Sequence, residues 1–203
     1  MADESCRVYC SGPLFNDAER REMQQIADAL EEAGFETFLP HRDGFEFSPL
    51  LPMLMGRGLD NARAHACWDQ AIFALDAYQV LQGCDAVVVN LNGRVPDEGA
   101  VAEAAMAWAR GRPVVAFKDD LRSLVSGKDN AMVVGLADFK VYSGLRNVVA
   151  QLQTIRESGE KGPHYDDEPA AVSLGRRLWE AKCGDEGWDG VADILVEHFA
   201  NCD

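Results

Sequence analysis

Short apolar runs alternate with stretches of helical periodicity along most of this chain. Residues 7–11 (RVYCS) read as a strand that stops at Gly12-Pro13. Over 17–33, Ile26, Ala29, Leu30 and Ala33 recur at helical spacing; Asn16 or Asp17 can cap this helix and Gly34 ends it. Residues 35–39 form a second strand, closed by Pro40. Residues 59–82 predict a long helix with Ala71, Leu75, Tyr78 and Leu81 inward. Residues 85–91 (DAVVVNL) are apolar through the middle, as buried parallel strands are. A helix over 99–110, a strand over 113–117, a strand over 139–142 and a helix over 144–156 complete the alternation.

That alternation predicts an α/β doubly wound (Rossmann/flavodoxin-like) fold with a mostly parallel five-stranded sheet. Two stretches break the rhythm. Residues 41–58 hold three glycines and two prolines among Phe45, Phe47, Leu50, Leu51, Met53, Leu54 and Met55. They read as a long loop, apolar enough for a lid or a subunit contact. Residues 157–168 read as a polar linker to two helices, 169–182 and 188–200. The expected division is a catalytic domain over 1–156 and a linker with a C-terminal helical extension packed on it over 157–203.

Composition narrows the function. A formal net charge of −15 repels phosphate backbones, so no nucleic acid partner is expected. The six cysteines include no CxxC pair and no zinc spacing with histidine. They suit a reducing compartment. With no apolar signal region at the start and no run of membrane-spanning length, the expectation is a cytoplasmic protein without a membrane partner.

In doubly wound folds ligands sit beyond the carboxyl ends of the strands. Here those ends are 11–13, 40–44, 90–99 and 118–120. The third is the most informative: Asp97 lies at a turn, and Glu103 lies about one helical turn inside the helix that follows, among Ala100, Ala102, Ala104 and Ala105. Two carboxylates so placed can divide the breaking of a glycosidic bond, one attacking the anomeric carbon and the other handling protons or holding the sugar. Isolated carboxylates do not establish this. Asp before a helix is commonly a cap, and Glu within one is commonly solvated.

A wider pattern adds to it. Tyr9-Cys10-Ser11-Gly12-Pro13-Leu14-Phe15, then DAVVVNL, then Asp97-Glu98-Gly99-Ala100-Val101-Ala102-Glu103, then Gly111-Arg112-Pro113-Val114 resemble, in order and spacing, the nucleoside 2-deoxyribosyltransferase family. The resemblance covers about residues 7–155. It implies that Glu103 is the nucleophile, forming a covalent deoxyribosyl-enzyme that a second base resolves with retention of configuration. It implies Asp97 on the sugar hydroxyls, and Tyr9 orienting the nucleophile through its hydroxyl. Gly12 and Gly99 would lie against the substrate and Phe15 against the nucleobase face. Asp43 and Asp76 would contact the base. Asn130, from a neighbouring subunit, would reach the sugar 5′-hydroxyl, which implies a homo-oligomer, a dimer or higher.

The implied partners are nucleosides and free nucleobases, in nucleotide salvage. The reaction calls for no cofactor and no metal. Three departures stand out: Glu98 adds a charge beside the pair, Ala104-Ala105 replaces the family's Leu-Gly, and the tail beyond residue 156 has no counterpart in short members. Two alternatives remain open. One is hydrolysis of deoxynucleosides or their 5′-monophosphates, although the acidic site favours uncharged nucleosides. The other is a non-catalytic nucleotide-sensing module on the same fold.

Overall fold

A computed structural model describes residues 6–93, 95–120, 129–158 and 170–200. The chain divides into two compact units, Met1–Leu39 with Val80–Tyr165, and Pro40–Gln79 with Asp166–Asp203.

The first unit is built on five parallel strands: β1 (Arg7–Ser11), β2 (Glu36–Phe38), β3 (Ala86–Asn90), β4 (Val114–Phe117) and β5 (Val141–Tyr142). Their order is β2-β1-β3-β4-β5. The expected doubly wound fold is therefore present, with every pairing parallel. The chain leaves β2 at one edge and re-enters beyond β1, so the winding direction reverses between β1 and β3. That reversal opens a crevice at the carboxyl ends of those two strands.

Alternation along β1 decides which residues meet which layer. Val8 and Cys10 join a buried cluster with Met23, Ile26, Ala27 and Leu30 of α1 (Asp17–Glu32) and with Val148 and Leu152 of α7 (Leu145–Ser158). Tyr9 and Ser11 project to the opposite face, towards α5 (Glu98–Ala109). On that face Ala100 and Ala104 pack with Val89, Leu91 and Ala116. Helix α1 begins with a full capping box: Asn16 accepts from Ala18 and Glu19 N–H, and Glu19 reaches back to Asn16 N–H. Gly34, at φ 83°, makes the left-handed turn into β2.

The second unit is helical. It holds α2 (Pro40–Asp43), α3 (Leu50–Gly56), α4 (Asn61–Tyr78), α8 (Ala170–Cys183) and α9 (Gly187–Ala200). Residues 41–58, expected as a loop, are thus largely helical. The reason is the placement of the prolines. Pro49 caps α3 and Pro52 falls in its first turn, where no backbone N–H is needed for the helix. Phe45, Leu50 and Leu54 are fully buried and hold the segment in place. Helices α4 and α8 cross at Gly175, where an added Cβ would sit 1.8 Å from the Ala74 carbonyl oxygen, so only glycine permits the approach. Arg57 ties α3 to α9 through Asp189 (2.8 Å) and Asp193 (2.9 Å).

Other differences from expectation are small. A single helical turn, α6 (Ala131–Val134), stands before β5, which is two residues long. A π-helical turn over Gln79–Gly83 follows α4. Most of the expected linker, from residue 159 onward, lies outside the described residues. No described helix is long and apolar enough to cross a membrane.

Candidate active site

Glu103 owes its place to helix periodicity. Ala100, Ala104 and Ala107 are buried on the sheet-facing stripe of α5, and Glu103 shares that stripe at i+3 from Ala100 and i−4 from Ala107. Its neighbours there are alanines, too short to cover it, so its carboxylate lies against β1. Tyr9 Oη donates to Glu103 Oε1 at 2.8 Å, and Ser11 Oγ lies 2.5 Å from Glu103 Oε2. Each carboxylate oxygen therefore meets one hydroxyl, and the two hydroxyls come from alternate residues of one strand.

This arrangement departs from that of a solvated helix glutamate. Tyr9 and Ser11 are fully buried. The Tyr9 ring is fixed by stacking on Phe38, with centroids 5.4 Å apart and planes 19° from parallel. Hydrogen bonds from neutral hydroxyls favour the charged form of the acid and fix the direction of its lone pairs.

Asp97 is the N-cap of α5, with Oδ1 accepting from Ala100 N–H at 2.8 Å. The commonplace role for an Asp before a helix is therefore present, and it uses one carboxylate oxygen. Glu98, the unexpected charge, is exposed to solvent. Gly99 lies in the first turn of α5 and is also exposed. Gly12 has a packing reason: a Cβ there would meet Met23 Sδ at 2.4 Å and Asn90 Cβ at 2.9 Å. Phe15 is 80% exposed, which rules out core packing as its role.

The loop that carries Asp97 is pinned by Asn92. Its Oδ1 accepts from the backbone N–H of Asp119 (3.0 Å) and Asp120 (3.1 Å). Its Nδ2 donates to Glu22 Oε1 (2.5 Å) and Asp119 Oδ1 (2.7 Å). One buried amide thus joins the loops after β3 and β4 to helix α1. Lys118, nearly buried at the end of β4, pairs with Asp129. Asn130, next in sequence, is exposed and caps α6 by accepting from Met132 N–H at 2.9 Å.

Asp43 and Asp76 belong to the second unit. Asp43 ends α2 and pairs with adjacent Arg42 at 2.9 Å, while its carbonyl accepts from Lys182. Asp76, on α4, is half-buried and hydrogen-bonded to Glu46. Burial pushes the Glu46 carboxyl above its ordinary range; hydrogen bonds from its own backbone, from Asp76 and from the Phe45 backbone, with the charge of Lys182, pull it partly back.

Within the first unit the structure brings together Tyr9, Ser11 and Glu103, with Asp97 opening the same helix. Sequence reasoning missed Ser11 and Asn92. The signal for Ser11 was available: it lies two residues from Tyr9 on one strand, hence on the same face.

The family model for nucleoside 2-deoxyribosyltransferases matches residues 8–174. The chain belongs to that family. The match begins within β1, takes in Tyr9, Ser11, Asp97 and Glu103, and continues into α8. No curated protein matches. A crystal structure of a conserved protein from Enterococcus faecalis V583 shares the fold, with a TM-score of 0.54 and 20% identity over 74% of this chain and 98% of that one. Membership makes this a chain of a glycosyl-transfer family that acts on nucleosides and nucleobases. Among the described residues no group of His, Cys, Asp and Glu is arranged to hold a metal ion. Cys6, Cys10, Cys67, Cys84 and Cys183 are in the thiol form, and burial pushes Cys84 far above the usual thiol range.

Proposed function

We propose that the protein transfers the 2-deoxyribosyl group between nucleobases through a covalent intermediate on Glu103. The observation that carries this reading is the carboxylate held at both oxygens by Tyr9 and Ser11, at the carboxyl end of β1, beside the winding reversal. A half-buried carboxylate whose lone pairs are fixed by two buried hydroxyls is prepared to attack an electrophilic carbon.

In the first half-reaction a Glu103 oxygen bonds to C1′ as the C1′–N bond breaks. The electron pair goes to the departing nucleobase, which takes up a proton. In the second, a nitrogen of the incoming base bonds to C1′, loses its proton and returns the pair to Glu103. Two inversions give net retention. Asp97 gives one oxygen to the helix cap, and its other oxygen would hold the sugar hydroxyls. Phe15, a large exposed aromatic just beyond β1, offers a stacking face for a base. Gly12 and Gly99 would flank the substrate, Asp43 and Asp76 would contact the base, and Asn130 would be contributed by a neighbouring subunit of a homo-oligomer.

The test is incubation with deoxyadenosine, with and without a second free base, followed by separation of products. A new nucleoside that appears only with the second base is the expected result. Free base and deoxyribose alone would make the protein a hydrolase. No reaction at all would favour a non-catalytic module.

A further inference from the structure

The Ser11 hydroxyl has two acceptors within reach, Glu103 Oε2 at 2.5 Å and the Ala100 carbonyl oxygen at 3.3 Å. A hydroxyl carries one proton, so it can donate to only one of them at a time. Ser11 is fully buried, so bulk water is not at hand to take the proton's hydrogen bond. The two acceptors belong to consecutive turns of α5, and a rotation of the O–H about the Cβ–Oγ bond passes between them.

We propose that Ser11 is a positioning residue whose proton turns from Glu103 Oε2 to the Ala100 carbonyl and back during turnover, which marks Oε2 as the oxygen that bonds to C1′. The inference rests on the reading of Glu103 as nucleophile and adds to it the choice of oxygen and the role of the serine.

Acceptor strength distinguishes the two oxygens of Glu103 once a bond to carbon has formed. In the free carboxylate both oxygens are strong acceptors. Once one of them bonds to carbon, it becomes the singly bonded oxygen of an ester and accepts weakly, while the other becomes a carbonyl and still accepts well. A buried donor facing the esterified oxygen would then lose its partner, which is unfavourable unless another lies close. The hydroxyl on Oε2 is supplied with such a second acceptor. As Oε2–C1′ forms and C1′–N breaks, the Ser11 proton turns to Ala100. When the incoming base displaces Oε2, that oxygen regains the electron pair and negative charge, and the Ser11 proton turns back to stabilise it. Ser11 gives up no proton in either step. It assists the departure of the carboxylate, so its contribution falls mainly on the second half-reaction.

Ser11→Ala is therefore expected to lower steady-state transfer about tenfold, the scale of one lost charge-assisted hydrogen bond. The first base should still be released in a rapid burst, and a deoxyribosyl adduct should accumulate on the intact protein, visible by mass. The acidic limb of its pH–rate profile should move to higher pH, because a donor that favours the ionised acid is gone. Ser11→Thr keeps the hydroxyl and is expected to show no burst. Wild-type turnover in Ser11→Ala, a loss without burst or adduct, or an equal burst in Ser11→Thr would overturn the proposal. Glu103→Ala separates the two readings. If it releases base at the native rate, the nucleophile reading fails and this one with it; if it is inert while Ser11→Ala behaves as wild type, only the serine's role fails.

Discussion

Glu103 and Glu46 are both half-buried glutamates, and their surroundings prepare them for opposite tasks. Glu103 meets a hydroxyl at each oxygen, and both donors stand on a buried strand. Glu46 has an Oε2 that is shielded from water and has no hydrogen-bond partner, and burial dominates its chemistry. The first environment supports a charge and aims it. The second penalises a charge and favours a bound proton. Burial alone thus says little about a carboxylate; the donors brought to it decide whether it serves as an anion or an acid.

The strongest way to break this contrast is at Glu103. Glu103→Ala is expected to reduce base release and transfer by about a thousandfold or more while the melting temperature stays near that of the native protein. Near-native turnover would remove the nucleophile. Next comes Asp97, where cap and chemistry can be separated, because Asn caps helices as well as Asp does. Asp97→Asn should keep the stability of α5 yet lower transfer by about a hundredfold. If it loses stability but keeps activity, Asp97 serves the helix alone.

Tyr9→Phe removes one donor from Glu103 and keeps the ring on Phe38. A fall in kcat of about tenfold is expected, with KM little changed. An unchanged kcat would mean that the hydroxyl pair does not aim the nucleophile. The smallest effect is expected at Glu46, and its sign is the informative part. A carboxyl whose folded-state value is raised destabilises the fold above that value, and the penalty vanishes below the unfolded-state value. Glu46→Gln should therefore raise the melting temperature by roughly 2–4 °C near neutral pH. The gain should shrink as the pH falls from the raised folded-state value towards the ordinary carboxylate value. A loss of stability at neutral pH would show that the charged form is held by its partners after all.

Much of the fold was legible because its signals are local. The apolar run of β3 and the left-handed Gly34 each act over a few residues and are where the pattern put them, and of the two caps the pattern offered, Asn16 and Asp17, the structure uses Asn16. The segment 41–58 was not legible. Proline disrupts a helix by position, and only the start of α3 shows that Pro49 and Pro52 stand where a helix tolerates them.

The chain by itself determined that Glu103 would stand on the same helical stripe as Ala100, Ala104 and Ala107, since periodicity follows from spacing. It also determined that Tyr9 and Ser11 would share a face of their strand. Only the tertiary structure decided that this stripe and that face would meet, because the meeting depends on β1 pairing with β3 across a long separation in sequence. Strand order is set by burial of the whole sheet against two layers of helices, and no local stretch encodes it.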